Sequence, residues 1–168
     1  MLDFARGRLG NGIPLDYSNE IGLLEVLRHV VQEITAVASD VEIICEFGDL
    51  DAVDCDAHRI GQLASNLLSN AVRYGDRTKP ILLEGHVDGD RFNLAVANKG
   101  EPIPEAARDL LFMPFQRGEV SGHQKGLGLG LFIVSEIARA HGGEMRVFSD
   151  YSETRFQLSM PKSAASST

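Results

Sequence analysis

Between Lys125 and Val134 the chain reads KGLGLGLFIV, with glycine at every second position and then an apolar run that continues at helical spacing to His141. No other stretch restricts the fold as much. Glycine lets a backbone approach a ligand closely, and a helix opening there presents unpaired N–H groups and its positive dipole end. The combination favours a phosphate group. Taken alone, a glycine-rich loop is equally a flexible hinge before a core helix, so the rest of the chain has to decide.

The 168 residues fit one domain, long enough to bury roughly 70% of the surface that the unfolded chain would expose. Cys45 and Cys55 have no CxxC spacing and lie in apolar stretches, which implies free, inert thiols in a reducing compartment and a cytoplasmic location. No signal peptide is recognisable, and no apolar run approaches the ~18 residues of a membrane span. The formal charge of −8, from 16 basic and 24 acidic residues, argues against nucleic acid as a partner. A small anion is still compatible, because between Phe112 and Gly130 the charged residues are Arg117, Glu119 and Lys125, a local excess of one positive charge.

Residues 1–13 read as the remnant of an upstream dimerisation helix and its linker, and 162–168 as a disordered tail. Ser18 or Asn19 is the expected cap of a first helix that buries Ile21, Leu24, Leu27, Val31, Ile34 and Ala38. Val41 to Phe47 and Ala52 to Cys55 are expected strands around the turn Gly48-Asp49. A hairpin turning at Asp88-Gly89-Asp90 should join strands Pro80–Val87 and Arg91–Asn98. Glu105 to Leu111 suggests a short helix, and Gln116 to Lys125 a lid. Glu144–Ser149 and Thr154–Met160 complete the strands, the last with Thr154, Phe156, Leu158 and Met160 on a buried face.

The helix expected from Ala57 to Tyr74, capped by Asp56, is the second informative stretch. At about 100° per residue, Ile60, Leu63, Ala64, Leu67, Leu68 and Ala71 share one face, and Arg59, Gln62, Asn66, Asn70 and Arg73 share another. A solvated face is usually rich in Glu and Lys. Two asparagines one turn apart instead cost roughly 1 kcal/mol of helix propensity relative to alanine. Their carbonyl oxygens could hold Mg²⁺, which keeps several waters and takes other ligands from substrate phosphates.

Asn-x-x-x-Asn on a helix, N-x-G-x-P-I-P after a strand, F-x-P-F-x-R, GLGLGL opening a helix, then HGGE at His141 to Glu144 form an ordered set. It resembles the ATP-binding catalytic domain of bacterial sensor histidine kinases, within the gyrase, chaperone, histidine kinase and mismatch-repair ATPase superfamily. The resemblance runs from Pro14 to Pro161 and implies an α+β fold of Bergerat type. That fold is a two-layer α/β sandwich whose mixed, mainly antiparallel sheet carries three helices on one face. It implies that Asn70 ligates Mg²⁺ with Asn66 assisting, that Arg73 and Tyr74 contact the nucleotide, and that Asn98 reads the adenine amino group. Gly100 and Ile103 would shape the base pocket and Thr154 support it through water. Phe112, Phe115 and Arg117 match the F box, and Gly126, Leu127, Gly128, Leu129, Gly130 and Leu131 the triphosphate loop, with Arg117 and Lys125 as cations near the γ-phosphate.

The chain departs from the family pattern DxGxG at Asn98 and Pro102. A neutral amide forms a weaker bond to adenine than a carboxylate, by ~1 kcal/mol. Superfamily members that hydrolyse ATP place a general-base glutamate where this chain has Asn66, so phosphoryl transfer is expected rather than hydrolysis. The implied acceptor is a histidine on a dimerisation domain of the same protein, and the implied onward partner is a response regulator receiver domain. None of His29, His58, His86, His123 and His141 sits in a phosphoacceptor context, so the chain is not expected to phosphorylate itself. Direct membrane contact is not expected. The two rival readings are an anti-sigma-factor-type serine kinase and a nucleotide-silent interaction module.

Overall fold

The computed structural model describes residues 12–114 and 129–163. Most of the upstream remnant, all of the expected lid and most of the polar tail lie outside the described residues. Within them the elements run α1 (Leu23–Val37), β1 (Ile43–Phe47), α2 (Ala57–Tyr74), β2 (Ile81–Asp88), β3 (Arg91–Asn98), α3 (Glu105–Arg108), α4 (Gly130–Ala140), β4 (Glu144–Ser149) and β5 (Thr154–Pro161).

The strands form one sheet in the order β1-β2-β3-β5-β4. β1 and β2 pair in parallel, so the chain must cross over between them, and α2 is that crossover. Every other pairing is antiparallel. Gly89, at φ 63°, closes the β2–β3 hairpin in a conformation that glycine adopts without strain.

One face of the sheet is apolar in rows. Leu94, Leu158 and Met145 lie side by side across β3, β5 and β4, followed by Val96, Phe156 and Val147. Helices α1, α2 and α4 contribute Leu27, Leu63, Leu67, Val134 and Ile137 to the core that covers these rows. Arg155, on the sheet face opposite these rows, pairs with Glu84 and Glu153. The two-layer sandwich is therefore dictated by period-two burial in the strands and single-faced burial in the helices.

Gly61 sits in the middle of α2, where glycine costs about 1 kcal/mol relative to alanine. A Cβ there would lie 2.6 Å from Val26 Cγ1. The glycine allows α1 to approach α2 closely.

Three expectations are corrected. The first helix starts at Leu23 with Gly22 as its cap, and its buried residues are Leu23, Val26, Leu27 and Val30; of the expected stripe Leu27 and Ala38 are buried, while Ile21, Leu24, Val31 and Ile34 pack against the core only partly buried. Asn19 instead caps across space, accepting from Ala57 N at 3.0 Å and donating to Cys55 O at 3.0 Å. It thus satisfies one of the orphan N–H groups at the start of α2. Residues 52–55 form no strand. Leu50, Val53 and Cys55 are buried through a turn, and Asp54 N bonds to Lys162 O at 2.7 Å beyond the end of β5. The helix expected to reach Leu111 stops at Arg108, and the chain continues through i→i−3 turns at Leu110, Leu111 and Met113.

Candidate functional site

Helix α2 begins as expected, with Asp56 Oδ1 accepting from Arg59 N at 3.2 Å. Its other carboxylate oxygen accepts from Asp16 N at 2.9 Å, which fixes the preceding segment as well. The polar stripe is real. Arg59 Nη1 donates to Gln62 Oε1 at 3.1 Å, and Asn66 and Asn70 follow, half-buried, on the same side. Arg73 and Tyr74 lie in the last, exposed turn.

Asn66 Nδ2 donates to Gly130 O at 3.1 Å. That bond joins the asparagine helix to the first residue of α4, the helix that the glycine-rich stretch opens. At the other end of α4, His141 Nε2 accepts from Asp56 N at 3.1 Å and Nδ1 lies 2.8 Å from Ile137 O. The helices therefore run antiparallel, tied at each end of α4 to the start and the middle of α2, about 15 Å apart at 1.5 Å per residue. Leu129 is buried, and its carbonyl accepts from Ile133 N at 2.8 Å, starting the helix, while Gly130 is exposed and Leu131 partly so.

The apolar rows of the sheet end in a polar one: Asn98, Thr154 and Ser149 face one another across β3, β5 and β4. Thr154 is buried, and its Oγ1 is 2.6 Å from Ser149 Oγ. Asn98 Nδ2 donates to Lys99 O at 3.0 Å, and that carbonyl also accepts from Asp76 N at 2.7 Å. One N–H of the Asn98 amide is thus engaged. Gly75, after the last residue of α2, makes room for this side chain, because a Cβ there would lie 2.8 Å from Asn98 Nδ2.

Gly100 has φ 143° and packs on the same helix end, where a Cβ would lie 3.3 Å from Asp76 N. Ile103 N donates to Ser149 Oγ at 2.8 Å, which brings Ile103 to the polar row. Phe112 stacks edge-on against Phe156, one row below, with centroids 6.0 Å apart. Tyr74, Asn98, Gly100, Ile103, Phe112 and Thr154 therefore gather where the C-terminal end of α2 meets the sheet, and Asn66, Gly130 and Leu131 gather beside α4. Phe115, Arg117, Lys125, Gly126, Leu127 and Gly128 lie outside the described residues.

Sequence reasoning missed Ser149, Arg108 and Gly75. Ser149 was legible only as the last residue of a strand, and Gly75 only as a helix stop. A cleft of about 330 Å³ between α1 and α2, lined by His29, Glu33, His58 and Gln62, touches the predicted set only at Asn66. Among the described residues no group of three or more His, Cys, Asp or Glu could hold a metal ion. No helix among them is long and apolar enough to cross a membrane.

The family model for histidine kinase-, DNA gyrase B- and HSP90-like ATPases matches residues 55–164, and the chain belongs to that family. Within it the chain has the fold of the ATP-binding catalytic domain of sensor histidine kinases.

It is 39% identical over 112 residues to the probable sensor kinase SilS of Salmonella typhimurium, covering 66% of this chain and 22% of that protein. The crystal structure of full-length ShkA in complex with AMPPNP superposes with a TM-score of 0.80 at 27% identity, over 98% of this chain and 35% of that one. Histidine kinase ThkA in complex with the response regulator TrrA gives 0.69 at 26%, over 87% and 42%. The chain thus spans about a fifth of the length of SilS.

Proposed function

We propose that this chain binds ATP with Mg²⁺ at the open end of the sheet and presents the γ-phosphoryl group to a histidine on a dimerisation domain of the same protein. The observation that carries the proposal is the Asn66–Gly130 bond. It sets the helix bearing both asparagines against the start of a glycine-opened helix, so amide oxygens and a helix N-terminus share one side of the fold.

The donor set suits the metal. Amide carbonyls are hard, neutral oxygens; Asn66 has only its nitrogen engaged, and Asn70 has no side-chain hydrogen bond among the described residues. Asn70 would ligate Mg²⁺ with Asn66 assisting. When bound, the ion neutralises phosphate charge and orients the triphosphate. Arg73 and Tyr74 would contact the phosphates and sugar, while Asn98, Gly100, Ile103 and Thr154 would hold the base. Phe115, Arg117, Lys125, Gly126, Leu127 and Gly128 are assigned to the same nucleotide from sequence. Asn66 cannot take a proton from water as a carboxylate would, which favours transfer over hydrolysis.

The ThkA–TrrA complex supports a response regulator receiver domain as the onward partner. The free cysteines support a reducing compartment, and with it the proposed cytoplasmic location. Calorimetric titration of ATP with and without Mg²⁺ tests the first step. Binding should depend on the metal, and Asn70→Ala should remove that dependence. Adding a histidine-bearing dimerisation domain should then yield label on that histidine, whereas no binding at millimolar ATP would overturn the proposal and favour a nucleotide-silent module.

A further inference from the structure

The sheet ends on one side at β1, which pairs only with β2. In a parallel ladder the residues of a strand that bond to its neighbour alternate with those that bond away from it. Ile81 N donates to Glu42 O at 2.8 Å, and Gly48 N donates to Gly85 O at 2.9 Å, one at each end of the pairing. The even-numbered residues of β1 therefore face β2. The N–H and C=O groups of Ile43, Cys45 and Phe47 face the open edge, with no strand beyond them among the described residues. Such a row is a template for another extended chain.

The two edges of the sheet differ in chemistry. β4 sets Glu144 and Arg146 at alternate positions, and charge along an edge discourages pairing. β1 reads Ile-Ile-Cys-Glu-Phe, apolar except at Glu46.

Helix α1 also leaves the inner side of β1 partly uncovered. Ile43, Cys45 and Phe47 share the helix side of the sheet with the buried Ile81 and Leu83. Ile43 and Phe47 are nevertheless only partly buried, and Cys45 is exposed. Between α1 and β1 lies a groove of about 480 Å³ lined by Arg28, Val31, Gln32, Cys45 and Phe47. The Arg28 guanidinium has no hydrogen bond or ion pair among the described residues. Its charge reaches the groove floor, since burial raises the Cys45 thiol pKa and Arg28 pulls it back down.

We infer that the β1 edge and its groove form a docking site for an extended segment of a partner protein, which joins the five-stranded sheet alongside β1. Main-chain bonds to Ile43, Cys45 and Phe47 supply the affinity, and alternate side chains supply the specificity. Strand parity sets the chemistry of the segment. Its residues opposite Ile43, Cys45 and Phe47 enter the groove and are apolar, apart from one carboxylate that meets Arg28. Those opposite Ile44 and Glu46 lie on the other face, where a basic side chain suits Glu46. A second copy fits less well. Pairing β1 with itself about Cys45 would set both helix layers on one side, bring two Arg28 guanidinia to one junction and oppose Glu46 with Ile44. The inference goes beyond the nucleotide reading and does not depend on it.

The probe is a synthetic peptide that alternates valine with polar residues, with a glutamate at one inward position and a lysine at one outward position. Titrated into the full chain, it should slow amide exchange at Ile43, Cys45 and Phe47 but not at Ile44 and Glu46, which already bond to β2. It should also slow maleimide labelling of Cys45. Arg28→Glu, an exposed substitution on α1, should weaken binding about fivefold. A peptide with lysine in place of the glutamate should restore it.

No protection of these amides at millimolar peptide would overturn the inference. So would equal affinity of both peptides for wild type and for Arg28→Glu. Protection of the same amides without peptide would overturn it as well: if it grew with chain concentration the occupant would be a second copy, and if it did not, a segment of this chain.

Discussion

Replacing His141 by alanine takes the acceptor from the Asp56 N–H at the start of α2 and leaves a gap where the ring packed. Both residues are 7% exposed, so water cannot readily substitute. The orphaned donor costs about 1–3 kcal/mol and the lost packing about 1–2 kcal/mol, which together give a loss of about 3 kcal/mol. Glutamine retains an acceptor and should recover about 1 kcal/mol of it.

The pH dependence separates this tie from ordinary packing. Nε2 must be unprotonated to accept from Asp56 N, while Nδ1 faces the Ile137 carbonyl, so the fold selects one neutral tautomer. Burial pushes the His141 pKa below its ordinary value of 6.5, against smaller upward pulls from the Ile137 carbonyl and the Asp56 charge. Above the unfolded value neither state binds this proton, and the stabilisation is fully present. As the pH falls through 6.5 toward the lower folded value, the unfolded chain takes up a proton that the folded chain refuses. Stability is then lost at up to about 1.4 kcal/mol per pH unit. Urea denaturation of wild type, His141→Ala and His141→Gln, from about pH 7.5 down to about pH 5, measures both effects. Glutamine does not titrate, so its curve should be flatter over this range. An equal slope in wild type and His141→Gln would refute the reasoning.

Three further outcomes are expected. Asn98→Asp should tighten ATP by up to about 1 kcal/mol by calorimetry, reduced by whatever the carboxylate loses facing the Lys99 carbonyl; no gain at any pH above 5 would count against Asn98 as a base reader. In Gly143→Ala the new Cβ would lie 2.4 Å from Ser159 O and 2.6 Å from Met160 Cβ, so the urea midpoint should fall by the equivalent of about 1–3 kcal/mol, and an unchanged midpoint would show that β5 yields freely. Burial pushes the buried Cys55 thiol up to about 12 and raises the exposed Cys45 thiol more modestly. A maleimide should therefore label Cys45 first, faster with rising pH, and reach Cys55 only on unfolding, whereas equal labelling in the folded chain would contradict the burial.

Local chemistry made much of this fold legible before any coordinates. Asp56 to Tyr74 combines a cap, an apolar stripe and a polar stripe, so its helix is specified within its own sequence. The β2–β3 hairpin follows from Gly89, and the buried face of β5 from strict alternation ending at Met160. Asn66 and Asn70 stood out because asparagine is a poor choice inside a helix unless its amide has other work.

Tertiary structure decided what depends on pairing between distant segments. Asn19 looked like the cap of its own helix, but its amide satisfies the start of α2, 38 residues away. Residues 52–55 looked like a strand because burial and β-pairing leave the same apolar signature, and only the sheet shows that β1 pairs with β2 instead. Ser149 and Arg108 are ordinary residues in sequence. Their roles arise because strand register places Ser149 across from Thr154, and because a one-turn helix brings a guanidinium to two carbonyls. Caps, turns and periodicity act over a few residues, whereas the polar row exists only once the strands have chosen their neighbours.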